Sequence, residues 1–358
     1  MSNLTLIMQN YNAPKDILLD VINSVMYQTC KDFNFIFIDD HSTDYDASSF
    51  FQDWKIIWNA YEMKGKIEFV QNIENHGHSY CRNLGLDKCE TEFIMFMDSD
   101  DELRPDATEI LLNNMASQPD IDISIGNFTR DEVQWIKEKD FYFNSDNASK
   151  TIEPKIYNKL QALDILCDPY MIPRKSYEQQ RVFKPSVPFC ATWNKIFRKS
   201  LFDNVRFPDG RTKDDNFTAH RLIWNARKIA FTSDTTYYYR RGGKLADANL
   251  YRTKDIVDAH QDRVDFFKKV LSDGDELITA SNFDEQLLKS KIFYNETIVY
   301  LYTQMMYIIA NRKDKVERSM DVFLLQVNLE QVKHKLLLYR PDVVKMLVEF
   351  IEKESKDG

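Results

Sequence analysis

A chain of 358 residues, 43% hydrophobic and 29% charged, is long enough for one large domain plus a smaller one, and globular in composition. Its formal net charge of -9 argues against a general nucleic-acid binder, which needs a positive footprint, and leaves room for a small anionic ligand held locally. Five cysteines, odd in number and without a Cys-x-x-Cys pair, indicate neither a disulfide framework nor a zinc site and fit a reducing cytoplasm.

The chain opens directly into a strand-like run, Leu4 to Met8, without the basic and then apolar leader of a signal peptide. From there to Gly126, apolar runs of strand length at 4–8, 33–38, 67–70, 93–97 and 121–125 alternate with helical stretches at 14–28, 44–58, 77–88 and 105–117. This alternation predicts an α/β fold, a mostly parallel sheet covered by helices. Pro14 and Pro105 stand where a first helical turn tolerates proline. Asp120 to Ile125 alternates cleanly, which predicts one face toward a core and the other toward water.

In an open parallel sheet, ligands bind beyond the carboxyl ends of the strands. The groups found there are Gln9 to Asn12 after the first strand, Asp39 to Asp44 after the second, and Asp98 to Asp101 after the fourth. Each cluster alone also reads as turn or helix-cap chemistry, and it is their gathering at one edge that points to a ligand. The apolar run from Phe93 stops abruptly at Asp98. In extended backbone residues two apart share a face, so Asp98 and Asp100 can face one site. Two hard oxygen ligands suit magnesium or manganese, whose shell is commonly completed by water and substrate phosphates. With nine glycines in the chain and none in the first turn, neither a phosphate loop nor a dinucleotide fingerprint can be written. Phosphate charge must then be met by a metal and by side chains.

Residues 127–190 read less regularly, with a polar patch at 144–150 and prolines at 154, 169, 173, 185 and 188. In the following segment Trp193 reads either as a core aromatic or as a sugar platform, and Lys195 either as a site group or as a solvated charge. A helical stretch from about Gly210 to Arg227 carries Asp214 and Asp215 at its start, where acids also complement the helix dipole. Thr236 to Tyr239 is strand-like and ends in Arg240 and Arg241, which are surface cations or diphosphate contacts. From Lys254 onward apolar residues recur at helical spacing, and the apolar stretch Ile298 to Ala310 is shorter than a membrane span.

Tyr11-Asn12, Ser24 to Gln28-Thr29, Ile38 to Asp44, Asn75 to Ser79 running into Arg82-Asn83-Leu84-Gly85, and Asp98 to Asp101, in this order and spacing, resemble the nucleotide-sugar glycosyltransferases of family 2, which have the GT-A fold. The resemblance is strong over residues 3–126 and weaker to about residue 241. It implies a donor half at 1–126, an acceptor half at 127–250 and a helical extension at 251–358. It also implies inverting transfer of a sugar from a uridine diphosphate sugar to a hydroxyl acceptor, with Mn2+ or Mg2+ as cofactor, commonly in bacterial surface polysaccharide or glycoconjugate synthesis.

By matching position, Tyr11 stacks near the base, Asp39 reads the uracil ring with Asp40 as its neighbour, and Arg82 and Ser99 lie with the nucleotide. Asp98 and Asp100 bind the metal, Asp100 more directly. Asp215 is the general base, with Asp214 supporting it, while Arg240 or Arg241 reaches the diphosphate and Trp193 and Lys195 lie on the acceptor side. One departure stands out: members often carry proline two residues before the tyrosine, and here that residue is Gln9. The competing readings are a sugar-phosphate nucleotidyltransferase, which would want a glycine-rich first turn, and a catalytically silent subunit, which would have lost the acids. The expected setting is the cytoplasm or the inner face of the membrane, and the helical tail offers a surface for acceptor, partner subunit or lipid.

Overall fold

Strand β1 (Leu4–Asn10) is buried along its whole length because neighbours flank it on both edges and helices cover its faces. It pairs in parallel with β2 (Asn34–Asp39) and with β4 (Phe93–Asp98), and β2 pairs in parallel with β3 (Ile67–Gln71). The register sets Asn10 beside Asp39 and Gln9 beside Asp98, so the polar ends of three strands lie together. A computed structural model describes residues 3–144, 152–168, 186–240, 250–271, 282–310 and 315–356.

The connecting helices α1 (Lys15–Met26), α2 (Ala47–Ala60), α3 (His78–Lys88) and α4 (Ala107–Ser117) fall where the apolar periodicity places them. Asp46 caps α2, accepting from the amides of Ser48 (3.0 Å) and Ser49 (3.2 Å), so the acids at 39–44 are released from capping and belong to the loop. Likewise Asp98 to Asp101 is not a helix start, because the short strand β5 (Glu102–Leu103) intervenes before α4. Helix α3 lies close against β1: a Cβ on Gly85 would stand 2.4 Å from Cγ2 of Ile7, so only glycine fits there.

Buried Gln28, after α1, ties these pieces together with its whole hydrogen-bonding capacity. Its Nε2 donates to the carbonyls of Ser24 (2.9 Å) and Arg104 (2.7 Å), and its Oε1 accepts from the amide and hydroxyl of Thr108, both at 3.0 Å. The segment leaving the acidic loop is thereby fixed to α1.

Beyond β4 the sheet becomes mixed. Its order is β3-β2-β1-β4-β8-β6-β9-β5, with β7 also pairing with β9, where β6 is Ile121–Thr129, β7 Lys155–Asn158, β8 Lys195–Arg198 and β9 Lys228–Tyr238. β8 runs antiparallel between β4 and β6, and β6 and β9 are parallel. Neither face of β6 meets water, contrary to its alternating pattern. Asp122 is buried because Arg198 (2.8 Å) and Arg227 (2.6 Å) both pair with its carboxylate, which makes burial of the charge tolerable. The irregular stretch after β6 includes α5 (Glu132–Asn144), α6 (Lys159–Leu166) and α7 (Ser186–Cys190), and α8 (Asp214–Asn225) precedes β9.

The chain divides into two compact units, Met1–Lys159 with Ala191–Ala246, and Leu160–Cys190 with Asp247–Gly358. The second is built on α9 (Leu250–Val270), α10 (Phe283–Ala310), α11 (Lys315–Leu336) and α12 (Pro341–Lys356), around a core that includes Ile298, Leu301, Leu325, Leu336 and Leu347. Among the described residues no helix is long and apolar enough to cross a membrane. Glu296 of α10 is buried against His260 and Arg263 of α9. Burial alone would raise its pKa, yet Arg263 and His260 outweigh that and hold it at about 2.

A carboxylate held low in this way contributes stability above its unfolded value of 4.5 and loses that contribution as pH falls toward about 2. Glu296→Gln should therefore cost about 3–5 kcal/mol near neutral pH, the range for breaking a buried pair. In denaturation monitored by hydrogen exchange of α9 and α10, the gap between the two proteins should narrow from pH 4.5 downward. A gap independent of pH would contradict the assignment.

Candidate active site

At the ends of β1 and β2 short polar side chains zip two loops together. Asp39, fully buried, accepts from Asn10 Nδ2 (2.8 Å), the Ser42 hydroxyl (2.6 Å) and the Ser42 amide (3.0 Å). Asn12 Oδ1 accepts from the amides of Thr43 (2.7 Å) and Asp44 (3.0 Å). Asn12 and His41 take left-handed backbone at φ 51° and 63°, the first a residue that tolerates it. Asp40 turns the other way and accepts from Asn72 Nδ2 (2.7 Å) and from the amides of His76 (3.0 Å) and Gly77 (2.7 Å), seating the start of α3. Tyr11, 47% exposed, stands beside this framework as an open aromatic face.

The centre of the arrangement is Arg82 on α3. Its guanidinium is buried and bridges two acids far apart in sequence: Nη1 donates to both carboxylate oxygens of Asp214, at 2.8 and 2.7 Å, and Nη2 donates to Asp98 Oδ1 at 3.0 Å. Burial disfavours its charge, but Asp214 and Asp98 outweigh this and raise its pKa, so it stays a cation. Next to it Asn83 exchanges two hydrogen bonds with the backbone of Phe207, at 2.9 and 3.0 Å. One helix thus holds both the β4 acids and the segment that leads into α8.

Asp214 and Asp215 open α8. Asp214 is buried beneath Arg82, and its Oδ1 also accepts the amide of Asp215 at 2.9 Å. Asp215 is half-buried, accepts the amide of Asn216 at 2.9 Å, and has its pKa raised by burial and by the neighbouring Asp214 charge. Such a carboxylate is a stronger base than a solvated one.

On the β4 side Asp98, Ser99 and Asp100 are all half-buried. Burial and the charge of Asp98 push Asp100 up to about 6, and among the described residues no cation pairs with it. Asp101 lies behind them, fully buried, accepting from the Tyr237 hydroxyl and the Arg240 amide, both at 2.9 Å. Among the described residues no three metal-ligating side chains converge. Asp98, paired with Arg82 through one oxygen, and Asp100, which makes no ion pair among the described residues, instead offer two carboxylates at a strand end, which fits a divalent cation whose shell is completed by substrate oxygens.

Several expected site residues have other employment in this structure. Arg240 donates from Nε to the Asp100 carbonyl (3.0 Å) and from Nη2 to Glu102 (2.8 Å), so its guanidinium anchors the acidic loop from behind. Arg241 lies outside the described residues. Trp193 is buried in an aromatic stack, its ring 4.9 Å from Tyr237 and 5.0 Å from Tyr239, beneath the acids. Lys195 is buried too, and its ammonium donates to the Ala191 carbonyl, so it is not a solvated charge. Gln28, Asp101 and Tyr237 do positional work that no residue-by-residue reading assigned. For Asp101 the signal was present, a third acid after two others, whereas nothing in the sequence marks Tyr237.

The family model described as Glycosyl transferase family 2 matches residues 5–206. The Streptococcus pneumoniae protein named glycosyltransferase GlyG is 27% identical over 272 residues, 75% of this chain and 80% of that one. The Staphylococcus aureus poly(ribitol-phosphate) beta-N-acetylglucosaminyltransferase TarP is 24% identical over 244 residues, 66% of this chain and 62% of that one. In fold, the chain is similar to residues 1–349 of S. aureus TarS, crystallised with UDP-GlcNAc, at a TM-score of 0.57 and 16% identity, covering 99% of this chain and 92% of that one. The family match runs from β1 past the acidic loop to the segment that follows β8, over more than half of the chain, and so this protein belongs to glycosyl transferase family 2 and is a glycosyltransferase with the GT-A fold.

Proposed function

We propose that this enzyme transfers a sugar, with inversion, from a uridine diphosphate sugar to a hydroxyl of a cell-surface polysaccharide or glycoconjugate. The observation that carries the reading is the Arg82 bridge, which binds the acids expected to meet the donor to the acids expected to meet the acceptor. The TarS complex supports a uridine diphosphate donor, and the name of TarP, a poly(ribitol-phosphate) transferase, supports a polymeric glycoconjugate as acceptor. None of the five cysteines is in a disulfide, which supports a reducing compartment, and we place the reaction at the inner face of the membrane.

In this reading Tyr11 and the Asp39–Asp40 framework bind the nucleotide, and Asp98 and Asp100 hold Mn2+ or Mg2+. When bound, the metal neutralises negative charge on the diphosphate. Asp215 takes the proton from the acceptor hydroxyl, whose oxygen bonds to the anomeric carbon as the bond to the diphosphate oxygen breaks on the opposite face. Asp214, clamped by Arg82, keeps Asp215 at the mouth of α8 and keeps its pKa high. Arg240 and Asp101 keep the acidic loop in place.

Release of uridine diphosphate from a panel of its sugars, with manganese or with chelator, tests the donor side. One sugar should give metal-dependent release that Asp100→Asn abolishes, whereas release indifferent to chelator would contradict the metal assignment.

The acceptor side is tested by Asp215→Asn, which should retain uridine diphosphate binding and lose transfer by about 10²–10⁴-fold, the usual worth of a general base. A base must be deprotonated, so kcat/KM should fall as pH drops through the Asp215 pKa, at a value above the ordinary 3.8. Unchanged transfer by the variant would remove Asp215 from this role.

A further inference from the structure

Gln9 is the position where this chain departs from the family pattern, and the structure gives that residue a definite contact. It is the penultimate residue of β1, directly beside Asp98 in the sheet register, and is 4% exposed. Its Nε2 donates to Asp98 Oδ1 at 2.5 Å and lies 3.4 Å from Nδ1 of His78, while its Oε1 is buried with no hydrogen-bond partner among the described residues. Reversing the amide would set Oε1 against the carboxylate oxygen, so the contact with Asp98 decides the orientation, and the unpaired carbonyl is its cost. A buried orphan of this kind calls for an explanation other than stability.

The same Oδ1 also accepts from Arg82 Nη2 at 3.0 Å. Two donors from two elements therefore converge on one oxygen of Asp98. Among the described residues none reaches Oδ2.

We infer that Gln9 is a positioning residue that, with Arg82, locks the Asp98 carboxylate so that Oδ2 alone is presented to the divalent cation and its bound nucleotide. The inference rests on the two-carboxylate site proposed above. Proline, the residue often found here in the family, has no side-chain donor and would leave Asp98 to Arg82 alone. Removing Gln9 frees the carboxylate to rotate. Loss of a partner that orients a metal ligand typically weakens metal affinity by about 10–100-fold.

The test is titration of manganese, in the presence of uridine diphosphate, into wild type and Gln9→Leu by calorimetry, with thermal denaturation of both metal-free proteins. Leucine removes the donor and the orphaned acceptor together. The proposal expects manganese affinity to fall about tenfold or more with a melting temperature unchanged or raised. Gln9→Met, unbranched and close in volume, should behave the same way if leucine disturbs packing. Equal manganese affinity in wild type and both variants would overturn the role of Gln9 alone, as would a lowered melting temperature with affinity unchanged. Absence of nucleotide-dependent manganese binding by wild type would overturn the two-carboxylate site and this inference with it.

Discussion

A guanidinium buried between two carboxylates is the interaction on which the rest of the unit depends. Taking Arg82 out of water is tolerable only because Asp214 receives it with two hydrogen bonds and Asp98 with a third. Neither acid has an equivalent cation elsewhere among the ion pairs of the described residues. The pairings hold each other in place: without Arg82, one buried and one half-buried negative charge would be left close together with no positive charge between them. The close seat of α3 on β1, which Gly85 permits, is what brings the guanidinium to this point.

Around that bridge the chain spends polar side chains on position as much as on chemistry. Asp39 and Asp40 are equally buried, yet one fastens two loops and the other fastens the start of α3. Gln28 holds the exit of the acidic loop to α1, and Tyr237 with the Arg240 backbone holds Asp101 beneath it. The groups left without full compensation are Asp100 and Asp215, whose pKa values are both raised by burial and by a neighbouring acid. Rigid surroundings with unbalanced charge are what a site for a cation and for proton transfer requires.

The strands and helices of the first half were legible because their signals are local. Apolar runs bounded by polar turns mark β1 to β4, and each begins and ends within a residue or two of expectation. The edge where the ligand groups gather followed from parallel topology, and the motif spacing pointed to the family. What was hidden depends on distant pairing. Arg82 and Asp214 are 132 positions apart, and no local pattern announces their contact. The alternation in β6 misled for the same reason, since Asp122 is covered by Arg198 and Arg227, 76 and 105 positions away. Trp193 could be read as core or as site and Lys195 as a site group or a solvated charge, and in the structure both are buried, Trp193 among aromatic rings and Lys195 with its ammonium on the Ala191 carbonyl.

The central claim is that one guanidinium organises donor and acceptor sides together, and Arg82→Lys addresses it most directly. Lysine keeps the charge but is a point donor without the planar fork that spans two carboxylates. With the accepted donor and manganese, the account predicts a protein that stays folded by circular dichroism and loses uridine diphosphate release by at least about 10²-fold, the scale set by misplaced catalytic groups. Release by Arg82→Lys at the wild-type rate would contradict it.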